Sequence, residues 1–496
     1  MKRRIGIVAA FAVIAAGGVF ADEETPKVVS ASVDLTNRIG TVGKELYGGF
    51  IEHLGRNVYG GVYDPGDPQA DEDGFRRDVI REMKELKTPI FRYPGGCFTD
   101  FWCWEDGIGP RENRPVRIDP YWKQLEDNSF GLDEFMKWIA KVGAEPMITF
   151  NLSNRGLIEA ERMWEYLRFP KGTTLSEMRR KNGRDKPYDI RYWCLGNELH
   201  GSWEYGNRSP ERYGEDAREV AKFLKGVDRG AVVVLCGGEW SQRWNETVLG
   251  LAWNYIDMLS IHQGTRMGRP TYNCAGDVLS KNIENTVATI ERVNARQPKA
   301  ARKHVRLAID EYFLWDFDMG DAKTAYQKGR HILEPDYTLR DAVVMADLHI
   351  TMHNHARDIG YAGIAQSVNT LAHHARPAER ERAGAGSHGE GRPPVAADDL
   401  RSAEARVAVG ARRGPGAQVA GRADEGGSRQ RDLPRKGGEG RALRRQPECR
   451  RGADAGGELA RRLVGGRVVG ARRRRDGEKR ARRRAHPRSR DAGRAH

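Results

Sequence analysis

The fold is decided by three consecutive runs: Ile190-Arg-Tyr-Trp-Cys-Leu195, Ala217-Arg-Glu-Val-Ala-Lys-Phe-Leu-Lys-Gly-Val227 and Val232-Val-Val-Leu-Cys236. Two short stretches of β-forming apolar residues flank a longer one whose apolar side chains recur three and four positions apart. That is the pattern of two parallel strands joined by a crossover helix. Working outward, the same rhythm runs from residue 28 to residue 372. Candidate strands are Leu46–Glu52, Pro89–Tyr93, Pro146–Asn151, Ile190–Leu195, Val232–Cys236, Met258–Ile261, Val305–Asp310 and Tyr361–Ala365, with helical stretches such as Gly74–Leu86 and Leu132–Val142 between them. Eight such units predict an α/β chain folded as a (β/α)₈ TIM barrel over residues 46–371. Before it, Val28–Leu35 alternates apolar and polar residues and reads as an edge strand within an N-terminal segment, 22–45.

Beyond the barrel the composition breaks. Every one of the 11 Trp, 16 Tyr and 14 Phe residues lies before position 373. From there to His496 the chain holds no Ile, Met, Asn or Thr, and carries 33 Lys and Arg against 16 Asp and Glu. A stretch so poor in core-forming residues cannot offset its conformational entropy by burial, so 372–496 is expected to be a disordered Arg/Ala/Gly-rich tail. Its abrupt start inside a patterned segment reads as a frameshift product; the alternative is a natural basic tail for an acidic partner. The formal net charge of +14 belongs to this tail, while the remainder carries 50 basic and 53 acidic residues, so no nucleic-acid partner is implied.

At the other end, Lys2-Arg3-Arg4 precedes an apolar run from Ile5 to Val19, then Phe20-Ala21 and the acidic Asp22-Glu23-Glu24. This is the layout of a signal peptide cleaved after Ala21. The expectation is a secreted or periplasmic protein with no membrane attachment after cleavage. Six cysteines (Cys97, Cys103, Cys194, Cys236, Cys274, Cys449) show no metal-binding spacing. No Gly-rich phosphate loop, His-Glu-x-x-His helix or Cys-x-x-Cys pair is present, so neither a metal nor a cofactor is expected.

In a (β/α)₈ barrel the reacting groups lie at the C-terminal ends of the strands. Two carboxylates stand there: Glu198, closing Ile190-Arg-Tyr-Trp-Cys-Leu-Gly-Asn-Glu198, and Glu311, after Val305-Arg-Leu-Ala-Ile-Asp310. They belong to the fourth and seventh strands, on opposite sides of the barrel mouth. Glycoside hydrolysis needs such a pair, one carboxyl to protonate the leaving oxygen and one to act at the anomeric carbon. Either residue taken alone could equally be a loop salt-bridge partner. Asn197 adds an amide that can bond a sugar hydroxyl beside the acid.

Longer strings then carry a resemblance. They are Leu46-Tyr-Gly-Gly-Phe-Ile-Glu52-His-Leu-Gly-Arg-Asn-Val-Tyr-Gly-Gly-Val-Tyr63, Phe91-Arg92-Tyr-Pro-Gly-Gly-Cys97-Phe, Trp104-Glu-Asp-Gly-Ile-Gly-Pro110 with Asn113-Arg-Pro-Val-Arg117, Gly196-Asn-Glu198 and Ala365-Gln366-Ser-Val-Asn369. In order and spacing the chain resembles the α-L-arabinofuranosidases of glycoside hydrolase family 51, from about Val28 to Leu371. The resemblance implies retaining exo-hydrolysis of terminal α-L-arabinofuranosyl groups from arabinose-containing polysaccharides or oligosaccharides, with Glu198 as acid/base and Glu311 as nucleophile. Glu198 is then expected to be held protonated near neutral pH and Glu311 ionised, with Arg92 bonding the nucleophile.

The resemblance also implies sugar contacts for Glu52, Cys97, Asn197 and Gln366, and places His262 at the end of the sixth strand. Without it, Glu52 reads as a strand-end salt bridge, Cys97 as a small buried side chain and Gln366 as a helix cap. Among Trp102, Trp104, Trp203 and Trp240, its motif makes Trp104 the expected stacking face. The chain departs from the family pattern at Gly264, where a tyrosine usually follows the histidine and which Tyr272 could replace, and at Asn151-Leu-Ser-Asn154, where a Gly-rich turn is common. Relatives continue past Gln366 with an eighth barrel helix and a β-sandwich, so the barrel is expected to lack its last helix. A homo-oligomer is compatible with all of this. The competing readings are an endo-glucanase or xylanase on the same barrel and a catalytically inactive carbohydrate-binding barrel.

Overall fold

The computed structural model describes residues 37–371. The expected signal peptide, the strand expected at Val28–Leu35, the tail 372–496 and any helix following the eighth barrel strand lie outside the described residues.

Ten strands and eight α-helices follow one another along the described chain. The strands are β1 (Gly48–Phe50), β2 (Ile90–Tyr93), β3 (Arg117–Asp119), β4 (Gln124–Glu126), β5 (Glu145–Phe150), β6 (Tyr192–Leu195), β7 (Val232–Leu235), β8 (Met258–Arg266), β9 (Arg306–Trp315) and β10 (Ile359–Ile364). The helices are α1 (Arg77–Leu86), α2 (Leu132–Val142), α3 (Gly156–Arg168), α4 (Thr174–Lys181), α5 (Pro210–Val227), α6 (Gln242–Ala252), α7 (Ala275–Arg296) and α8 (Leu339–Asn354). Eight strands close into a parallel barrel in the order β1-β2-β5-β6-β7-β8-β9-β10, while β3 and β4 form a separate antiparallel hairpin. All eight expected strands are present, and the hairpin, inserted between β2 and α2, was not foreseen.

Alternation along the strands sorts side chains into two cores. Ile90, Met147, Tyr192, Cys194, Val234, Met258, Ala308 and Tyr361 point inward and fill the barrel. Their neighbours Phe91, Ile148, Trp193, Val233, Leu259 and Leu307 point outward and join the larger core shared with the helices. The helices are delimited by local chemistry. Ser209 caps α5, accepting the Arg212 amide at 3.3 Å ahead of Pro210 in the first turn, and Gly143 closes α2 in the left-handed region.

Two strands run further than their sequence suggests. β8 and β9 stay paired through His262↔Glu311 to Arg266↔Trp315, so His262 and Glu311 lie within strands rather than just past them. Near its top β9 carries an extra residue relative to both neighbours. Ser260↔Ala308 is followed by His262↔Glu311, and Ala362↔Ile309 by Ile364↔Tyr312. Such a bulge interrupts the two-residue alternation and re-aims the side chains beside it. Ala308 and Asp310 follow the inward phase; without the bulge Glu311 would face the helices.

Candidate active site

Arg92 is the inward residue at the top of β2 and is fully buried. Its guanidinium donates to Glu311 Oε1 at 2.7 Å and Asn197 Oδ1 at 2.8 Å, and Nε lies 3.2 Å from Asp310 Oδ2. A buried charge is tolerable only with such partners. Burial works against the cation, but Asp310 and Glu311 outweigh it and drive its pKa above the ordinary value. Asp310 also accepts from Ser260 Oγ and sits 3.4 Å from His262 Nε2. Although burial opposes ionisation, Arg92, His262 and Ser260 bring Asp310 to about 2.

His262, on β8, stands between the two expected catalytic carboxylates. Its Nδ1 is 2.8 Å from Glu198 Oε1 and 3.7 Å from Glu311 Oε2. Two oxygens that meet one atom at those distances can be no further apart than the two distances laid end to end. That limit does not exceed the lower edge of the roughly 6.5–9.5 Å spacing of inverting glycosidases, which leaves room for the roughly 5–5.5 Å approach that retention requires. Glu198 follows β6 with φ of 44°, and its second oxygen accepts the Trp203 indole N–H at 2.7 Å.

The charge state of Glu198 runs opposite to expectation. Burial would raise Glu198, but the hydrogen bond and charge of His262, with Trp203 and His200, bring it to about 2. Burial raises Glu311, with His262 and Arg92 pulling it back and Glu198 adding to the rise. His262 is driven well up despite its burial, by Glu311 and Asp310. The proton expected on Glu198 therefore resides on His262, because an imidazole ringed by three carboxylates is the more basic partner.

The remaining expected residues divide. Glu52, just past β1, is buried and accepts from Gln366 Nε2 at 2.7 Å, Trp122 Nε1 at 3.1 Å and the Phe98 amide at 3.3 Å. Burial, then Glu311, pushes its carboxyl up to about 8. Gly96 permits this packing, because a Cβ there would lie 2.5 Å from Glu52 Oε1. Gln366 in turn accepts from Asn57 Nδ2 at 2.6 Å. Asn197 bridges Arg92 and Glu204, and Cys97 Sγ donates to the same Glu204 Oε1 at 3.0 Å.

Trp104 does not reach this site. It is fully buried, tilted against Tyr166 at 5.1 Å, so its faces belong to the core. The indole beside the acid is Trp203. Tyr272 gives its hydroxyl to Asp341 of α8, and the tyrosine absent at position 264 is not replaced from there. A Cβ at Gly264 would come within 3.0 Å of the Phe313 ring, which occupies that space. Asn151 and Asn154 both donate to the Asp100 carbonyl, tying the loop after β5 to the loop after β2.

Sequence reading named Trp203 only as a candidate passed over for Trp104, and missed Asp310, Trp122, Glu204 and Tyr121 as members of this cluster. Asp310 and Glu204 are adjacent or nearly so to motif residues; Trp122 sits in the turn of the β3–β4 hairpin, where Asp119 Oδ1 receives the Tyr121 and Trp122 amides at 3.0 and 3.3 Å. Among the described residues, two groups bring potential metal-ligand atoms within 4.8 Å of one another: Cys97, Glu198 and Glu204, and Glu198, Glu239 and His262. Both share Glu198, so a cation on either would occupy the carboxylate expected to act as the acid.

Comparison with known proteins agrees with the geometry. The profile of the Alpha-L-arabinofuranosidase 1 domain matches residues 82–228, and that of the Alpha-L-arabinofuranosidase C-terminal domain matches residues 310–383. The chain is 41% identical over 350 residues to an intracellular exo-α-(1→5)-L-arabinofuranosidase of Bacillus subtilis, covering 68% of this chain and 70% of the relative. It is 38% identical over 359 residues to one of Acetivibrio thermocellus, covering 70% and 71%. Among solved structures, a family 51 α-L-arabinofuranosidase from Bifidobacterium longum superposes with a TM-score of 0.65 at 37% identity, over 68% of this chain and 69% of that one. An arabinose complex of the Thermotoga maritima α-L-arabinofuranosidase gives 0.63 at 34% identity, over 68% of each chain.

Proposed function

The chain belongs to glycoside hydrolase family 51, the α-L-arabinofuranosidases, and from that premise we propose that it removes terminal α-L-arabinofuranosyl groups by double displacement, with Glu311 as nucleophile and Glu198 as acid/base. The observation that carries this reading is the reach of one imidazole nitrogen, His262 Nδ1, to both carboxylates.

In the first step Glu311 attacks the anomeric carbon as the glycosidic bond breaks, and a proton passes to the departing oxygen. Arg92 holds Glu311 in line and favours its ionised form. The proton is stored on the His262–Glu198 pair. A transfer along their 2.8 Å hydrogen bond turns imidazolium and carboxylate into imidazole and carboxylic acid without drawing on solvent. A sugar filling the site strips water from Glu198 and favours that neutral form. In the second step Glu198 takes a proton from water, which attacks the same carbon and releases arabinose with its configuration retained. Glu52, Gln366 and Asn197 offer acceptors and donors to the furanose hydroxyls.

The substrates are arabinose-containing oligosaccharides or polysaccharides. The test is release of nitrophenol from nitrophenyl α-L-arabinofuranoside by the full chain, set against the glucoside and xyloside, with the anomer of the first product read by NMR. Retained configuration and preference for the arabinofuranoside are expected; an inverted first product, or equal rates on the three glycosides, would sink the reading. The leader at residues 1–21 supports export, in contrast to the two bacterial relatives whose names mark them intracellular. Fractionating cells that express the chain tests this, and full-length protein retained in the cytoplasm would refute it.

A further inference from the structure

The catalytic carboxylates and their partners leave one part of the mouth unexplained, a partly exposed group of aromatic rings just beyond the acid. Phe101 ends a short 3₁₀ helix, Cys97–Phe101, while Tyr121 and Tyr205 lie in two separate turns. Tyr205 meets Phe101 edge-on at 5.0 Å and Tyr121 at 5.0 Å, while Phe101 and Tyr121 are 6.0 Å apart. Phe101 is 41% exposed, Tyr205 67% and the neighbouring Trp203 55%. Large apolar rings gathered in the open mark a binding surface more often than scattered ones do.

These rings are held in place. The Tyr121 hydroxyl accepts the Tyr205 amide at 2.7 Å, and lies 2.6 Å from Glu204 Oε2 and 2.9 Å from the Trp203 carbonyl. The patch is also continuous with the site on both flanks. On one, Trp203 donates to Glu198; on the other, Trp122, tilted against Tyr121 at 6.4 Å, donates to Glu52. Glu198 delivers its proton to the glycosidic oxygen, so whatever is attached to that oxygen must leave on the Trp203 side.

We propose that Phe101, Tyr121 and Tyr205 form a binding face for the leaving-group saccharide, taking neutral sugar units inward of the bond being cut. The C–H faces of sugar rings pack against aromatic faces, and rings preordered by Tyr121 lose little freedom on binding. This rests on the arabinofuranosidase reading and deepens it, because it makes the enzyme one that senses more of its substrate than the terminal arabinose.

The experiment compares the full chain with its Tyr205→Ala and Phe101→Ala variants on α-(1→5)-arabinotriose and on nitrophenyl α-L-arabinofuranoside, whose leaving group is a single ring. The ratio of kcat/KM on the triose to that on the nitrophenyl substrate is expected to fall about tenfold in each variant, about 1.4 kcal/mol, through KM. Tyr205→Trp should restore the ratio to within about twofold of the unaltered enzyme. An unchanged ratio overturns the proposal. So does a Tyr205→Ala chain that sediments as a smaller species than the unaltered chain, since a second copy would then be what covers the rings. If the unaltered chain releases arabinose from neither substrate, the arabinofuranosidase reading itself has failed and this proposal falls with it.

Discussion

The two halves of the proposed active site are built differently. The nucleophile half, Arg92, Ser260, His262, Asp310 and Glu311, comes from three barrel strands and is buried. The acid half, Glu198, Trp203 and Glu204 with Tyr121, comes from turns, and Glu198 itself stands at a positive φ. The contrast teaches a division of labour. Attack on carbon tolerates little misplacement, so its groups sit on paired backbone. Departure must accept leaving groups of varied shape, and its groups sit on segments that can differ in detail without disturbing the barrel.

The largest effect that would sharpen this contrast is loss of the nucleophile. Glu311→Gln is expected to lower kcat by about 10⁴-fold or more on every arabinofuranoside, because no bond to the anomeric carbon forms without it. Glu198→Ala should cost about 10²–10⁴-fold on arabino-oligosaccharides and much less on nitrophenyl arabinofuranoside, whose leaving group needs little protonation. Rates on the two substrates check both, and equal losses for Glu198→Ala on the two would erase the proposed distinction between the halves.

Next in size is Arg92→Met. It removes the guanidinium that pairs with both buried carboxylates, Asp310 and Glu311, leaving only His262 beside them, and should lower the unfolding free energy by about 3–5 kcal/mol, measured by denaturant titration.

The smallest effect concerns pH. Asp310, held at about 2, contributes stability that is present above the ordinary carboxylate range and is lost as pH falls toward 2. Glu204 is the reverse. Burial, then Glu198 and Asp100, raise it to about 9, so its contribution is full below the ordinary range and is lost as pH rises toward 9. Glu204→Gln should therefore leave the melting temperature near pH 4 little changed and raise it relative to the unaltered chain at pH 9. A melting-temperature difference between the two chains that does not vary between pH 4 and 9 would contradict the assignment.

The barrel was legible because each strand is a short apolar run and each helix a periodic one, as in Ile190–Leu195 and Ala217–Val227. Glu198 and Glu311 were legible because a carboxylate directly after such a run has a known place in this architecture. Other features left no periodic trace. The β3–β4 hairpin is two three-residue strands with a mixed burial pattern, so Trp122 could not be placed against Glu52 from its position in the chain. Trp104 had the better motif and Trp203 the better location, a choice that burial alone decides. The protonation pattern left no trace in the sequence because it depends on His262 being surrounded by Glu198, Asp310 and Glu311 at once. That arrangement arises only on closing the barrel.

The extra residue in β9 bears on any attempt to transplant this chemistry. Copying Asp310 and Glu311 by position onto a regular strand of another eight-stranded scaffold would turn the second carboxylate into the wall, against the helices. A designer would have to graft the local kink and its flanking register with β8 and β10 together with the side chains.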